Sequence, residues 1–432
     1  MSLGEAMEGT TVASSLERAD PEIAALVACE SRRQSLRLEL VASENYMSAA
    51  QLEVSGSELG NLTIEGYPGA RFHGPSPHAD AIERLAIRRA CEVFGARFAN
   101  VQPHSGTQAN QAVYLALLRP GDTVLSMKLS AGGHFSHGGA SSLSGQWFHA
   151  VHYGVQARDG LIDYEEVQRQ ALRFKPKLII AGASAYPRAI DFARFAAIAR
   201  SVNAHLMVDI AHVAGLVAAG VFPHPFPHAD VVTSTTYKNF RGVRGGLILC
   251  NNEALAKQID AAVCPGLQGT PLLQLMAAKA VAFREALQPG FQRYAVQVLA
   301  NARALGVALV QRGITLATGG TDTPFVVADL RTLRIDGDRA ARYLDTLGIG
   351  ANRVPLASDP DDFSQANGLR LGVSAITTRG MREPQCDEIA DIVVAALQVA
   401  AVAAPTASAS EALSDRVAQL CTRFPIHGDE LH

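Results

Sequence analysis

The chain has 432 residues, 48% of them hydrophobic and 18% charged, with a formal net charge of -3. That length allows two or three domains, and the balance excludes a disordered chain, a disulfide-stapled miniature and a basic binder of nucleic acid or anionic membrane. The six cysteines (Cys29, Cys91, Cys250, Cys264, Cys386 and Cys421) form no C-x-x-C pair and read as core-filling thiols.

Residues 1–47 read as an N-terminal arm with one helix over 21–38. The polar first twenty residues lack the cationic start and apolar run of a secretory leader. From about residue 83, apolar runs at 124–127, 178–180, 206–208, 231–235 and 247–249 alternate with helical spacing at 164–174 and 191–201. The alternation predicts βαβ units and a mainly parallel sheet covered on both faces, forming a large domain over 48–290. Ligands of such sheets sit beyond the carboxyl ends of the strands. Helices are expected at 271–287 and 292–312. A small α+β domain over 291–432 has a strand at 325–330 and a helix at 338–346. The most apolar helical stretch, 392–404, is broken by Gln398, stopped by Pro405, and short of the ~20 residues that cross a bilayer. Residues 400–410 read as a loop before the last helix, and the terminal GDELH ends in His432 and carries no retention signal. A cytoplasmic protein in a reducing compartment, with no membrane partner, is the expectation.

Three segments carry chemistry. In VVTSTTYKNFRGVRGG a core strand runs into Tyr237 and Lys238. A lysine is costly to bury, so it either snorkels out of the strand end or forms a Schiff base with a carbonyl cofactor, most commonly pyridoxal phosphate. In HLMVDIAHVAG, Asp209 ends an apolar run. It suits the carboxylate that keeps a pyridinium nitrogen protonated, with His212 placed to reach the phenolic oxygen. Half of a metal site is the other reading of D-x-x-H, but no third ligand follows at a suitable spacing. In NVQPHSGTQAN, Ser105, Gly106 and Thr107 start a helix, either as a simple cap or as an anion cradle of N–H groups. The three segments in this order on an α/β chain favour the cofactor reading.

With LVASENY, EGYPGARF, HSGTQAN, AGGHFSHG, SAYPR, DIAHVAGL, STTYKNFRGVRGG, GGTDT and RLGVSAITTRG, the chain resembles serine hydroxymethyltransferases over nearly its whole length. The resemblance implies the α/β fold of aspartate aminotransferase-like (fold type I) pyridoxal-phosphate enzymes. That fold has a large seven-stranded domain, a small C-terminal domain, and a homodimer or tetramer whose active sites use two subunits. It implies Lys238 as the Schiff-base lysine, Asp209 as partner of the pyridine nitrogen, His134 as the ring-stacking imidazole and His212 at the phenolic oxygen. Ser105, Gly106, Thr107, Ser184 and Gly269 would bind the cofactor. Arg370 and Ser43 would hold the substrate carboxylate, for which a guanidinium fork is suited. Glu65 is the implied acid/base group, supplied by the neighbouring subunit.

Departures from the family pattern bear on the substrate. Thr63 stands where the family has a tyrosine that crowds the substrate Cα, and a tyrosine fills about 150–250 Å² of surface that threonine leaves open. Phe72 and His73 replace two tyrosines, His73 still able to contact substrate, and Tyr237 replaces the histidine beside the lysine. A gapless count from residue 349 to 370 puts Val354 at the asparagine that bonds pterin, which leaves pterin groups unpaired at ~1–3 kcal/mol. Phe135 and Cys264 replace a folate-packing leucine and phenylalanine, while Leu129 and Gly133 are kept. Tetrahydrofolate use is therefore open. The combination resembles the enzymes of 2-methylserine. An aldolase releasing alanine and formaldehyde is expected first, a tetrahydrofolate-dependent transferase on 2-methylserine or serine second, and a non-catalytic relative last.

Overall fold

In the computed structural model, which describes residues 14–360, 365–402 and 407–426, the apolar runs form the inner strands of one seven-stranded sheet. Its strands are β1 (Phe98–Asn100), β2 (Thr123–Met127), β3 (His149–Tyr153), β4 (Leu178–Gly182), β5 (His205–Asp209), β6 (Val231–Thr235) and β7 (Gly246–Cys250). The order across the sheet is β1-β7-β6-β5-β4-β2-β3. Only β7 runs against its neighbours, pairing antiparallel with both β6 and β1. Every residue of β4, β6 and β7 is buried, because helices cover both faces. That double burial is why β4 and β7 read as unbroken apolar runs, while in β6 the buried Thr233, Ser234 and Thr235 follow Val231 and Val232. Leu125, Ile179, Val208 and Val232 face one core cluster, while Val124, Leu178, Met207 and Val231 face the other.

Helices Tyr164–Phe174 and Phe192–Ser201 start where Asp163 and Asp191 accept main-chain N–H groups of the first turn. Two helices that apolar spacing did not single out, Ala49–Ser55 and Pro77–Phe94, pack on Leu273–Ala286. The arm helix ends at Leu36 rather than 38, because Leu38 and Glu39 turn to pair in parallel with Ile349 and Gly350, burying Leu38 and Leu40.

Helix Pro289–Gln311 leads into a four-stranded sheet ordered Thr315–Leu316, Phe325–Asp329, Gly368–Gly372, Asn352–Val354. Helices Gly337–Thr346, Glu383–Ala401 and Ala407–Arg423 complete the smaller unit. Much of 400–410 is therefore helical. Pro405, the first thirteen residues and the GDELH tail lie outside the described residues. No helix among the described residues is long and apolar enough to cross a membrane.

Candidate active site

The carboxyl ends of the parallel strands converge on one cavity. Asp209 closes β5, Lys238 lies three residues beyond β6, and the segment after β1 leads to Ser105 at the start of helix Gly106–Leu117. The turn after β2 carries His134, and Ser184 follows β4. Gly106, Thr107, His212 and Tyr237 complete the sequence-predicted residues that line this cavity.

At one end, the Ser105 hydroxyl accepts from Gln108 N at 3.1 Å, capping the helix. A Cβ at Gly106 would lie 2.6 Å from Thr235 Cγ2, so only glycine lets the helix start this close to β6. The free N–H groups of that first turn make an anion cradle.

At the other end stands Asp209. Its Oδ2 accepts from His137 Nε2 at 2.9 Å and Asn110 Nδ2 at 3.0 Å, and its Oδ1 accepts from Ala211 N at 2.9 Å. Burial pushes this carboxyl up, but the His137 contact, the Ala211 N–H and the Lys238 charge outweigh it and hold it well below the usual carboxylate range. A carboxylate offers about four lone-pair positions, so one remains for a further N–H donor. His137 and Asn110 are the residues sequence reasoning missed as Asp209's partners. His137 was legible only as a second histidine in AGGHFSHG, and Asn110 as the residue one turn into HSGTQAN.

Between the two ends, Lys238 is buried, which lowers its pKa to about 8 although Asp209 pulls the other way. A free-amine fraction is thus present near neutral pH, as a nucleophilic lysine requires. Its carbonyl accepts from Asn45 Nδ2 at 2.9 Å and Arg241 N at 3.0 Å, which fixes the turn. The Arg244 guanidinium sits 4.5 Å over the Tyr237 ring. Burial, with the nearby His137 and Lys238, pushes His134 down to about 3, so its ring is neutral. His212 is likewise neutral, pushed well below its usual range by burial and then by the Lys238 and Arg370 charges. Its Nδ1 has no partner among the described residues.

Arg370 reaches the cavity's edge through Ser184, donating to its carbonyl and, at 3.2 Å, to its hydroxyl. Nη2 donates to Asn352 Oδ1 at 3.0 Å, and Nε is buried without a partner among the described residues. Burial brings this guanidinium down to about 10, still charged at neutral pH. Ser43 follows Ala42, which packs on Gly372 two residues beyond Arg370.

Thr63, Glu65, His73 and Gly269 do not line the Lys238 cavity. They gather elsewhere: His73 Nε2 lies 3.1 Å from Glu65 Oε2, and a Cβ on Gly269 would lie 2.4 Å from Glu65 Oε1. Ile64 is buried while Thr63 and Glu65 on either side are not, so those two share an outward face.

Two of the expected pterin substitutions change meaning. Val354 is buried with Ala42, Phe325, Val327 and Leu356, and the amide beside Arg370 belongs to Asn352, which pairs with it across the strands. The gapless count therefore selected a core residue. Cys264 is also buried, next to a cis peptide bond to Pro265. Only Phe135 remains an exposed ring.

The cavity fits pyridoxal phosphate: an anion cradle at one end, an ionised carboxylate with a lone pair to spare at the other, and a buried amine between. Comparison with known proteins agrees. The family model "Serine hydroxymethyltransferase" matches residues 16–393. A serine hydroxymethyltransferase of Paramagnetospirillum magneticum is 49% identical over 413 residues, covering 95% of this chain and 97% of the relative. That of Acidiphilium cryptum is 50% identical over 414 residues, covering 95% and 96%. The one from Prochlorococcus marinus is 48% identical over 417 residues, covering 96% and 99%.

Proposed function

The chain belongs to the serine hydroxymethyltransferase family, whose members are pyridoxal-phosphate enzymes, and we propose that this one removes the hydroxymethyl group of 2-methylserine. When bound, pyridoxal phosphate supplies the electron sink for the pair left at Cα. Lys238 would provide the amine that holds the cofactor. Asp209 would keep the ring nitrogen protonated, and neutral His134 would help hold the ring. Ser105, Gly106, Thr107 and Ser184 would hold the phosphate end, and His212 would serve the phenolic oxygen. Arg370, with Ser43 nearby, holds the substrate carboxylate through its unpartnered Nε. Tyr237, with the Arg244 guanidinium over its ring, would line the substrate space beside Lys238.

Glu65 takes the proton of the β-hydroxyl group. It stands with Thr63, His73 and Gly269 outside its own chain's cavity, which supports a homodimer or larger assembly in which this cluster completes the neighbour's site. The bond broken is Cα–Cβ, so no α-proton is needed and a quaternary Cα is chemically acceptable. Room beside Cα then decides the substrate. The observation that carries 2-methylserine is Thr63, a short side chain on the same outward face as Glu65 where serine enzymes carry a tyrosine.

Tetrahydrofolate as the acceptor is the reading the geometry favours, since Asn352 keeps an amide beside Arg370 and the replacements at 354 and 264 are core residues. Release of free formaldehyde is the second reading, favoured by the exposed Phe135 ring in place of a leucine. Alanine and formaldehyde formation from 2-methylserine, measured with and without tetrahydrofolate, separates them. Dependence on folate supports transfer, equal rates support the aldolase, and no cleavage of 2-methylserine overturns the substrate assignment.

Thr63→Tyr tests the gate directly. The ring should overlap the α-methyl group but leave serine tolerated, a repulsion that rejects more strongly than a missing contact. The ratio of kcat/KM for 2-methylserine over that for serine should fall by about tenfold or more. An unchanged ratio, with cofactor saturation verified by absorbance, would remove Thr63 as the determinant.

A further inference from the structure

Arg71 touches none of the cavity, yet its side chain is only 2% exposed and its guanidinium is held on every side. Nη1 donates to two main-chain carbonyls, Ile64 O at 3.0 Å and Gly66 O at 2.8 Å. Nε donates to Asp80 at 2.9 Å and Nη2 to Glu83 at 2.6 Å. The carbonyl between, that of Glu65, accepts from Phe72 N at 3.0 Å. Three consecutive carbonyls centred on Glu65 are thus gripped by two neighbouring residues.

The grip is reinforced from behind. Gln102 Nε2 donates to both Gly66 O at 3.0 Å and Glu83 Oε1 at 2.7 Å, and Gln268, next to Gly269, donates to Gln102 O at 2.9 Å. The turn itself is tight: Gly66 has φ +92, and a Cβ there would lie 2.4 Å from Ala70 O. Burying an arginine against two carboxylates adds little net stability over apolar packing. A guanidinium fork does, however, fix the direction of the groups it binds.

We propose that Arg71 is the positioning residue for Glu65, fixing the backbone of 64–66 so that the Glu65 carboxylate is presented at the substrate's β-hydroxyl group. The inference rests on the reading of Glu65 as the proton acceptor. Arg71→Lys keeps the charge but cannot grip two carbonyls and two carboxylates at once. A misplacement of about 1 Å can cost on the order of 10²-fold in rate, so kcat should fall roughly 10–100-fold. KM and the cofactor dissociation constant should stay within about threefold of wild type.

The decisive measurement is a double-mutant cycle with Glu65→Gln. If Arg71 acts through Glu65, Arg71→Lys costs less than about threefold in the Glu65→Gln background. The same factor in both backgrounds, or a loss appearing in KM or cofactor affinity instead of kcat, overturns the proposal and makes Arg71 a fold staple for helix Pro77–Phe94. Failure of the underlying reading looks different: Glu65→Gln alone would then cost less than about tenfold. Should Arg71→Lys not fold, Glu83→Gln goes through the same cycle. It is expected to show a severalfold loss of kcat that disappears when Glu65 is already glutamine, and a loss that persists overturns the proposal.

Discussion

Lys238→Ala is expected to leave a folded protein with kcat lower by on the order of 10³-fold or more, the loss that follows from removing the proposed covalent nucleophile. The fold survives because the turn is held by main-chain contacts, from Asn45 and Arg241 to the Lys238 carbonyl, that alanine retains. The cofactor is still expected to bind, held by the Ser105–Thr107 turn and Asp209, but borohydride should no longer fix it to the protein. The wild-type protein provides the pH counterpart. Burial lowers the Lys238 amine to about 8, so it is increasingly the free base as pH rises through that value. Covalent capture of pyridoxal phosphate by cofactor-free protein, followed by the growth of its visible band, should therefore rise with pH around a midpoint near 8, well below 10.5. Wild-type turnover by Lys238→Ala would refute the assignment.

Glu65→Gln should lower kcat by ~10²–10⁴-fold, the usual contribution of a general base, with the cofactor band unchanged. The amide keeps the shape and can still meet His73 Nε2, 3.1 Å from Oε2, but cannot take a proton. His137 is no substitute base, because it is buried with Nε2 committed to Asp209. A loss smaller than about tenfold would assign proton removal to a water instead.

What could be read in the sequence follows from the physics of each element. β4 and β7 were legible because a strand buried on both faces is apolar along nearly its whole length, and β5 and β6 because each keeps an apolar run, Leu206–Val208 and Val231–Val232, at its buried core. Helix Pro77–Phe94 was not, since its one buried face mixes alanines with Asp80 and Glu83, which serve Arg71 rather than the core. The cavity residues were legible because each falls in a long motif at the end of a strand. Their mutual contacts were not. Asn110 and His137 meet Asp209 only once helix Gly106–Leu117 and the turn after β2 fold over β5. The Val354 assignment failed for a related reason: counting back from Arg370 ignores strand register, and register puts Asn352 opposite it. The grip on Glu65 was least visible, because its polar members lie far apart in the chain and show no period.

The separation of the Glu65 cluster from its own chain's cavity has a consequence for inheritance. Under the proposed completion of each site across subunits, a chain damaged near Lys238 and one damaged near Glu65 would place their faults in the same cavity of a mixed dimer, leaving the other cavity whole. Two defective alleles of these different kinds would then complement each other, whereas two alleles damaged on the same side would not. Under that arrangement selection acts on a cavity made by two copies of the chain, so a map of harmful changes sorts by cavity and not by polypeptide.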